Sequence, residues 1–331
     1  MSLSRIVVIQ PYFGTLPTTF PRWLASCASN SSIDWVIATD ADVSGLVQYK
    51  NVKIVKMTFR EMQVRAQSCF DFPINLERPY KLCDYRAFYD RIWREFVEGY
   101  DFWGYCDCDM IFGDIRKFAR ESILTRVDKF LGHGHFSIIR KDAPSLNAVL
   151  EAAKAKGLYG YREMLQTPLL HAFEEYDHYG VSYCYQKMFP DLYDSGYCQR
   201  WRIFDDIDPA FDHFTDPVKD SRFGNRGVVY KYQDGKLSRF FQENSRIQEE
   251  ETLYIHLMKR RMQDFAGSDS NYLVVPDAFV PTTTIDAAFL EKHGKRVWDR
   301  RRLDALLVHW RAKLGMISRT AKVKKAATSN R

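Results

Sequence analysis

Three short β-like runs and two helical stretches open the chain, and this rhythm limits the fold more than any single motif. Ile6-Val7-Val8-Ile9 has the apolar continuity of a buried strand and runs into a Pro- and Gly-punctuated loop, Gln10 to Pro17. From Thr18 to Ser29 the spacing of Phe20, Trp23, Leu24 and Cys27 predicts a helix. Trp35 to Ala38 reads as a second strand ending at Thr39-Asp40, Val52 to Val55 as a third, and Thr58 to Ala66 as a second helix. Strand–helix–strand alternation predicts an α/β fold with a mostly parallel central sheet flanked by helices. Such sheets bind ligands at the carboxyl ends of their strands, which makes Tyr12, Phe13, Gly14 and Asp40 candidate ligand contacts. Turn chemistry alone explains Gly14 about as well, and Asp42 better.

Tyr100 to Ile115 (YDFWGYCDCDMIFGDI) is the most pointed stretch. Aromatic residues lead into two aspartates one residue apart. In a strand, Asp107 and Asp109 would share one face and Cys106 and Cys108 the other. Paired carboxylates repel unless a cation sits between them, and Mg²⁺ or Mn²⁺ bound by hard oxygens keeps positions open for phosphates. The D-x-D pattern is weak by itself, since Asp40-Ala41-Asp42 and Asp206-Ile207-Asp208 repeat it. Its place at the end of an apolar run, where an unpaired carboxylate is costly, sets the Asp107 copy apart.

From Pro79 to Gly99 the sequence has helical periodicity, with Leu82, Tyr85, Phe88, Tyr89, Ile92 and Phe96 as the buried stripe. Lys81 and Asp84 would meet near its start, either as a surface ion pair of little energetic value or facing a ligand. Leu131 to Arg140 reads as a glycine-opened turn and then a strand, and its His133-x-His135 spacing suits either metal or substrate contact. A helix is expected over Asn147 to Lys156. His171 to Asp177 places acids among aromatic residues, a candidate general-base region. Tyr183 to Asp220 is dense in Tyr, Phe, Trp and Asp, which suits stacking of sugar rings as well as it suits a core. Gly224 to Gln242 predicts a hairpin turning at Asp234-Gly235. In Leu253 to Met262, His256 is either structural or a metal ligand, with Lys259 three residues on as a diphosphate contact.

The chain has 331 residues, 46% hydrophobic and 27% charged, which suits one large domain with an appendage. We read residues 1–294 as that domain, in two halves of about 1–140 and 141–294, and 295–331 as a tail. No apolar run approaches the roughly 18 residues of a spanning helix, and no secretory leader is expected at the N-terminus. Seven scattered cysteines without a C-x-x-C pair fit reduced, cytoplasmic thiols. The net charge of +6 is uneven: residues 295–331 carry twelve Lys and Arg against Asp299 and Asp304, leaving −4 for the remainder. In that tail Leu303, Leu306, Leu307, Trp310, Leu314 and Ile317 recur at helical spacing among basic residues. This predicts an amphipathic helix lying on an anionic membrane, hence peripheral attachment to the inner face of the cytoplasmic membrane; packing of the stripe on the domain is the alternative.

Taken together, K-x-x-D-Y-R at Lys81, Y-D-F-W-G-Y-C-D-C-D-M-I-F-G-D-I, G-H-F-S-I-I-R and Y-I-H-L-M-K-R-R-M resemble a GT-A fold glycosyltransferase. More narrowly, residues 5 to about 280 resemble a bacterial family of presumed capsule, exopolysaccharide and O-antigen glycosyltransferases. The resemblance implies a Rossmann-like GT-A sheet and a Mn²⁺ or Mg²⁺ held by Asp107, Asp109 and His256. It also implies a donor-binding half over about 1–140 and an acceptor-side half over about 141–294, with donor contacts from Asp107 and Lys259 and with Lys81, Asp84 and Arg86 cradling nucleoside and sugar. The implied partners are a nucleotide-sugar donor, by family expectation a UDP-hexose such as galactose in pyranose or furanose form, and a glycan acceptor, free or lipid-linked. No nucleic-acid partner is expected. Glu174-Glu175 and Arg140-Lys141 depart from the expected Asp-Glu and Arg-Asn on the acceptor side. Glu175, with Asp206 behind it, is the candidate base for an inverting reaction. The competing readings are a two-metal phosphoesterase using Asp107, Asp109, His133, His135 and His256, and a non-catalytic module that binds anionic surfaces through the tail.

Overall fold

The structure is a computed structural model that describes residues 3–132, 134–155, 160–174, 180–194, 204–206, 227–257 and 261–294. The predicted tail and its helix lie outside the described residues. The chain divides into two units: residues 1–204 with 234–237 and 252–254, and 205–233 with 238–251 and 255–331.

The first unit is built on β1 (Ile6–Tyr12), β2 (Ile33–Thr39), β3 (Val52–Lys56) and β4 (Phe102–Cys106). These strands pair in parallel, with Val8 opposite both Trp35 and Gly104. After the short strand β5 (Met110–Phe112), β6 (Lys129–Phe130), β7 (Phe136–Arg140) and β8 (Tyr193–Asp194) complete a seven-stranded sheet ordered β3-β2-β1-β4-β7-β6-β8. β7 runs antiparallel to β4 and β6. The approach of β4 to β7 requires Gly104, because a Cβ there would lie 2.5 Å from the Ser137 carbonyl oxygen.

Both faces of this sheet are apolar, so β1 reads as a continuous hydrophobic run rather than an alternating one. One face packs Val7, Ile9, Val36 and Trp103 against Tyr85, Phe88 and Tyr89. The other packs Ile6, Val8, Trp35 and Phe102 against α1 (Phe20–Ser29) through Phe20, Trp23, Leu24 and Cys27, the four residues whose spacing predicted that helix. The second predicted helix is α2 (Phe59–Gln67), opened by a capping box between Thr58 and Glu61. The expected helix at Asn147 begins earlier and spans Pro144–Ala155.

The expected long helix from Pro79 to Gly99 does not form. A 3₁₀ segment, Pro79–Phe88, is followed by two four-residue helices, Tyr89–Ile92 and Arg94–Val97. Within the 3₁₀ segment only Tyr80 is exposed and Lys81, Leu82, Asp84, Tyr85, Arg86, Ala87 and Phe88 are buried, which leaves no polar solvent face for an amphipathic helix to present. Its polar residues are held instead by loops packed around it.

The second unit carries most of a six-stranded sheet. β10 (Val228–Gln233), β11 (Lys236–Glu243), β12 (Arg246–Glu251), β14 (Gln263–Asp264), β15 (Tyr272–Val275) and β16 (Ala278–Pro281) order as β12-β11-β10-β15-β16-β14. The predicted hairpin turns where expected: Asp234 and Gly235 take φ of 51° and 80°, the left-handed pair of a tight two-residue turn. A short sheet orders β5-β13-β9, with β9 over Phe204–Asp206 and β13 over Tyr254–His256.

Candidate metal centre

β1 connects through α1 to β2 on one side, and β4 lies on its other side. The crevice at the carboxyl ends of β1 and β4 is therefore the switch point of the parallel sheet, where such folds take ligands. Tyr12 ends β1, and its hydroxyl donates to the Thr15 carbonyl at 3.0 Å. Gly14 has φ +101°, a left-handed conformation open to glycine at little cost, and its N–H donates to Asp40 Oδ1 at 2.7 Å. Asp40, at the end of β2, thus fixes the loop after β1. Phe13 faces inward, buried and 5.4 Å from the Phe59 ring, so it anchors this loop to the core.

β4 ends at Cys106, and Asp107-Cys108-Asp109 forms the bend between β4 and β5 rather than a continuation of the strand. The alternation of faces survives: Cys106 and Cys108 are buried in the core beside Cys27. Burial pushes all three thiols up. The Asp107 N–H donates to the His135 carbonyl at 2.8 Å, fixing the bend to the start of β7. Gly113 then lets the chain after β5 approach the segment leading to β13. Its N–H donates to the Leu253 carbonyl at 2.8 Å, and a Cβ there would lie 2.7 Å from the Thr252 carbonyl oxygen. Tyr254 packs its ring on Phe112 and Phe136.

Two residues along β13 comes His256. Asp107, Asp109 and His256 each offer a ligand atom, all within 4.8 Å of one another. Two carboxylates and an imidazole are a donor set that suits a divalent ion of intermediate hardness, and their mutual repulsion is relieved by one. No other group of this kind occurs among the described residues. His133 lies outside them, and His135 is buried edge-on to the Tyr254 ring at 5.4 Å. The described residues therefore provide one cation site and no second metal for a phosphoesterase.

Around the triad runs a buried polar chain. Arg86 donates to Asp107 Oδ1, to the Gly134 carbonyl and, at 3.3 Å, to Glu174 Oε1, with its guanidinium 5.4 Å from the Tyr105 ring. Asp84, fully buried, accepts from Lys81 Nζ at 2.7 Å, from the His171 N–H at 3.1 Å and from the Phe173 N–H at 3.2 Å. Burial alone would raise the Asp84 carboxyl; the bonds from His171 and Lys81 outweigh it and hold the group below the ordinary carboxylate range. Lys81 directs its remaining protons to the carbonyls of Met164 and Leu169. Between the two N–H groups that hold Asp84, Ala172 has φ +49°. Asp84 and Arg86 thus clasp the segment 171–174 against the 3₁₀ segment.

Glu174 is buried, at 3% exposure, and accepts from Arg86 at 3.3 Å, a placement that the sequence Glu174-Glu175 does not reveal. Glu175 and Lys259 lie outside the described residues. Asp206 is placed in β9, but its side chain lies outside them too. Arg140 binds Asp128 at 2.9 Å and the carbonyls of Leu124 and Val127, closing a loop away from the triad.

Fold and triad define an α/β protein with a candidate divalent-cation centre at the switch point of its sheet. The chain belongs to a family described as one of unknown function (DUF6625), whose sequence profile matches residues 8–283. No curated protein matches it in sequence. Among solved structures, mouse xyloside xylosyltransferase 1 in its apo form aligns at 8% identity over 57% of this chain and 83% of its own, with a TM-score of 0.32. The glycosyltransferase GlyE of Streptococcus pneumoniae TIGR4 aligns at 12% identity over 58% and 45% of the two chains, TM-score 0.31. The galactosyltransferase LgtC, in complex with donor and acceptor sugar analogs, aligns at 9% identity over 48% and 69%, TM-score 0.28.

Proposed function

We propose that this protein is a divalent-metal-dependent glycosyltransferase of GT-A type, moving a sugar from a nucleoside-diphosphate donor to a glycan acceptor. The observation that carries the reading is the gathering of Asp107, Asp109 and His256 at the switch point. The Gly14–Asp40 contact beside it supports the same reading. The resemblance to bacterial surface-polysaccharide glycosyltransferases implies a UDP-hexose donor and a role in surface-polysaccharide synthesis, with Mn²⁺ or Mg²⁺ as the ion.

Asp107, Asp109 and His256 would hold the ion, and Arg86 fixes the rotamer of Asp107 from the buried side. The ion would supply Lewis-acid stabilisation of the charge that develops on the departing diphosphate. Tyr12 and the Gly14 loop would position the nucleoside, and Lys259 would pair with the diphosphate. In the transfer, the bond from the anomeric carbon to the diphosphate oxygen breaks and a bond to the acceptor oxygen forms. For inversion, the acceptor proton passes to a carboxylate, for which Glu175 and then Asp206 are the candidates.

Thermal shift against a panel of nucleotide sugars, with and without Mn²⁺, tests this. Stabilisation should need both metal and donor and should vanish in Asp107→Asn and Asp109→Asn. In His256→Ala the Mn²⁺ requirement should rise at least roughly tenfold, the lower bound for losing even an outer partner of a metal. Turnover that persists in excess EDTA, or in either aspartate variant, overturns the assignment.

A further inference from the structure

At the outer edge of the seven-stranded sheet, β3, α2 and the helix Tyr89–Ile92 flank a cavity of about 780 Å³ that is broadly open to solvent. An adjoining hollow of about 510 Å³ lies along the other side of α2 and shares Arg60, Val64 and Ser68 with the first. The larger volume lies in the range of small-molecule sites. Its apolar lining comes from Val55, Met57, Val64 and Ile92. Val64 is 58% exposed, an unusual position for an aliphatic side chain on a helix otherwise rich in polar residues.

The charges lining this cavity do not balance. Lys56, Arg60, Arg65 and Arg91 face only Glu61 and Glu95. Glu95 is committed to Arg65 at 2.6 Å. Glu61 is committed to the start of α2, where Thr58 N–H and Oγ hold its carboxylate and keep it below the ordinary range. Lys56, Arg60 and Arg91 have no carboxylate within ion-pair distance among the described residues. Lys56 donates to the Ala41 carbonyl, Arg60 reaches Gln63 Oε1 at 3.5 Å, and Arg91 donates to Asn147 Oδ1 at 2.9 Å. Asp42, which lies in the field of Lys56, is itself bonded to the Ser44 N–H at 2.9 Å, and Asp90, which lies in the field of Arg91, accepts from the Arg91 N–H at 2.9 Å. Three cations around an apolar floor, two of them guanidinium forks, match the oxygens of a phosphate ester.

We infer that this cavity is a second ligand site, separate from the metal centre, that takes a phosphate or diphosphate ester with its organic part on Val55, Met57, Val64 and Ile92. The site does not depend on the glycosyltransferase reading.

The test is equilibrium dialysis of the full chain with labelled pyrophosphate in EDTA, which silences any binding that needs a metal. The basic tail binds equally in every variant, so differences between variants report the cavity. Lys56→Gln with Arg60→Gln should weaken one site per chain at least tenfold. Val64→Glu, which adds an opposing charge without removing a cation, should do the same. Lys50→Gln, an exposed control outside the cavity, should leave binding unchanged. All four substituted positions are exposed, and far-UV circular dichroism checks that the variants fold. Equal binding by wild type and the double variant overturns the proposal, as does a loss in Lys50→Gln as large as in the double variant. Competition by glucose 1-phosphate but not uridine diphosphate makes the ligand a sugar phosphate, and the reverse makes it a nucleotide. Failure of both to compete refutes the ester.

Discussion

Asp107 is drawn two ways: Arg86 holds its Oδ1 from the buried side, while Asp109 and His256 offer the other partners of a metal. A guanidinium bonded to a metal-ligand carboxylate withdraws negative charge and competes with the ion, yet it also fixes the carboxylate's orientation. Glu174 moderates that competition by sharing the same guanidinium at 3.3 Å. In Glu174→Gln, Asp107 is the one charged partner that Arg86 keeps among the described residues, and Arg86 neutralises it more fully. Mn²⁺ binding, measured by electron paramagnetic resonance, should weaken by about tenfold, the scale on which outer partners act. Unchanged affinity would leave Glu174 as a core counter-ion without influence on the centre. A second residue-scale consequence falls on Gly104. Alanine there must push β7 away or bend β4, because its Cβ would sit 2.5 Å from the Ser137 carbonyl oxygen. Gly104→Ala should lower stability by about 1–3 kcal/mol, the usual cost of overpacking, read as a fall in the urea midpoint.

Among the elements, the 3₁₀ segment Pro79–Phe88 depends most on its polar contacts. Asp84 neutralises Lys81 and anchors the N–H groups on either side of Ala172, so Asp84→Asn leaves a buried ammonium with carbonyl partners only. Breaking a buried pair in this way costs about 3–5 kcal/mol. The sign of its pH dependence follows from the lowered folded pKa of Asp84. The stability it adds is complete above its ordinary value of 3.8 and is lost as pH falls through the lower folded value. The difference in urea stability between wild type and Asp84→Asn should therefore be full at neutral pH and shrink in the acid region; a gap that widened on acidification would contradict it. This segment also shows where sequence reading reached its limit. The strands and helices up to Gln67 were legible because each buries apolar residues on a regular period. Leu82, Tyr85 and Phe88 keep a helical period too, yet Lys81, Asp84 and Arg86 are equally buried. Apart from the Lys81–Asp84 pair, the contacts that make their burial affordable come from Asp107 and from residues 134 to 174, which no local window contains. For the same reason Asp107, Asp109 and His256 could be singled out by type and setting, whereas Glu174 could not be told from Glu175.

For the whole molecule, the decisive asymmetry is between an almost balanced body and a basic end. Residues 295–331 carry twelve basic side chains and two acidic ones, and no helix among the described residues is long and apolar enough to cross a membrane. If the acceptor is a glycan carried on a lipid, an enzyme held at the surface meets it at a high local concentration. The tail's sequence, with Trp310 among leucines and arginines, has the composition of an interfacial segment. Each basic residue near an anionic surface contributes on the order of 1 kcal/mol, and the attraction is screened beyond about 8 Å at physiological salt. We therefore expect the full chain to float with vesicles containing anionic lipid and to be released as salt rises, and a chain ending at Lys295 to stay in the soluble fraction. Neutral vesicles separate charge from insertion: a purely electrostatic tail should not bind them, whereas an apolar stripe buried at the headgroup boundary should retain a residual, salt-resistant fraction. Equal flotation of the two chains, or none by either, would reject the tail as an anchor.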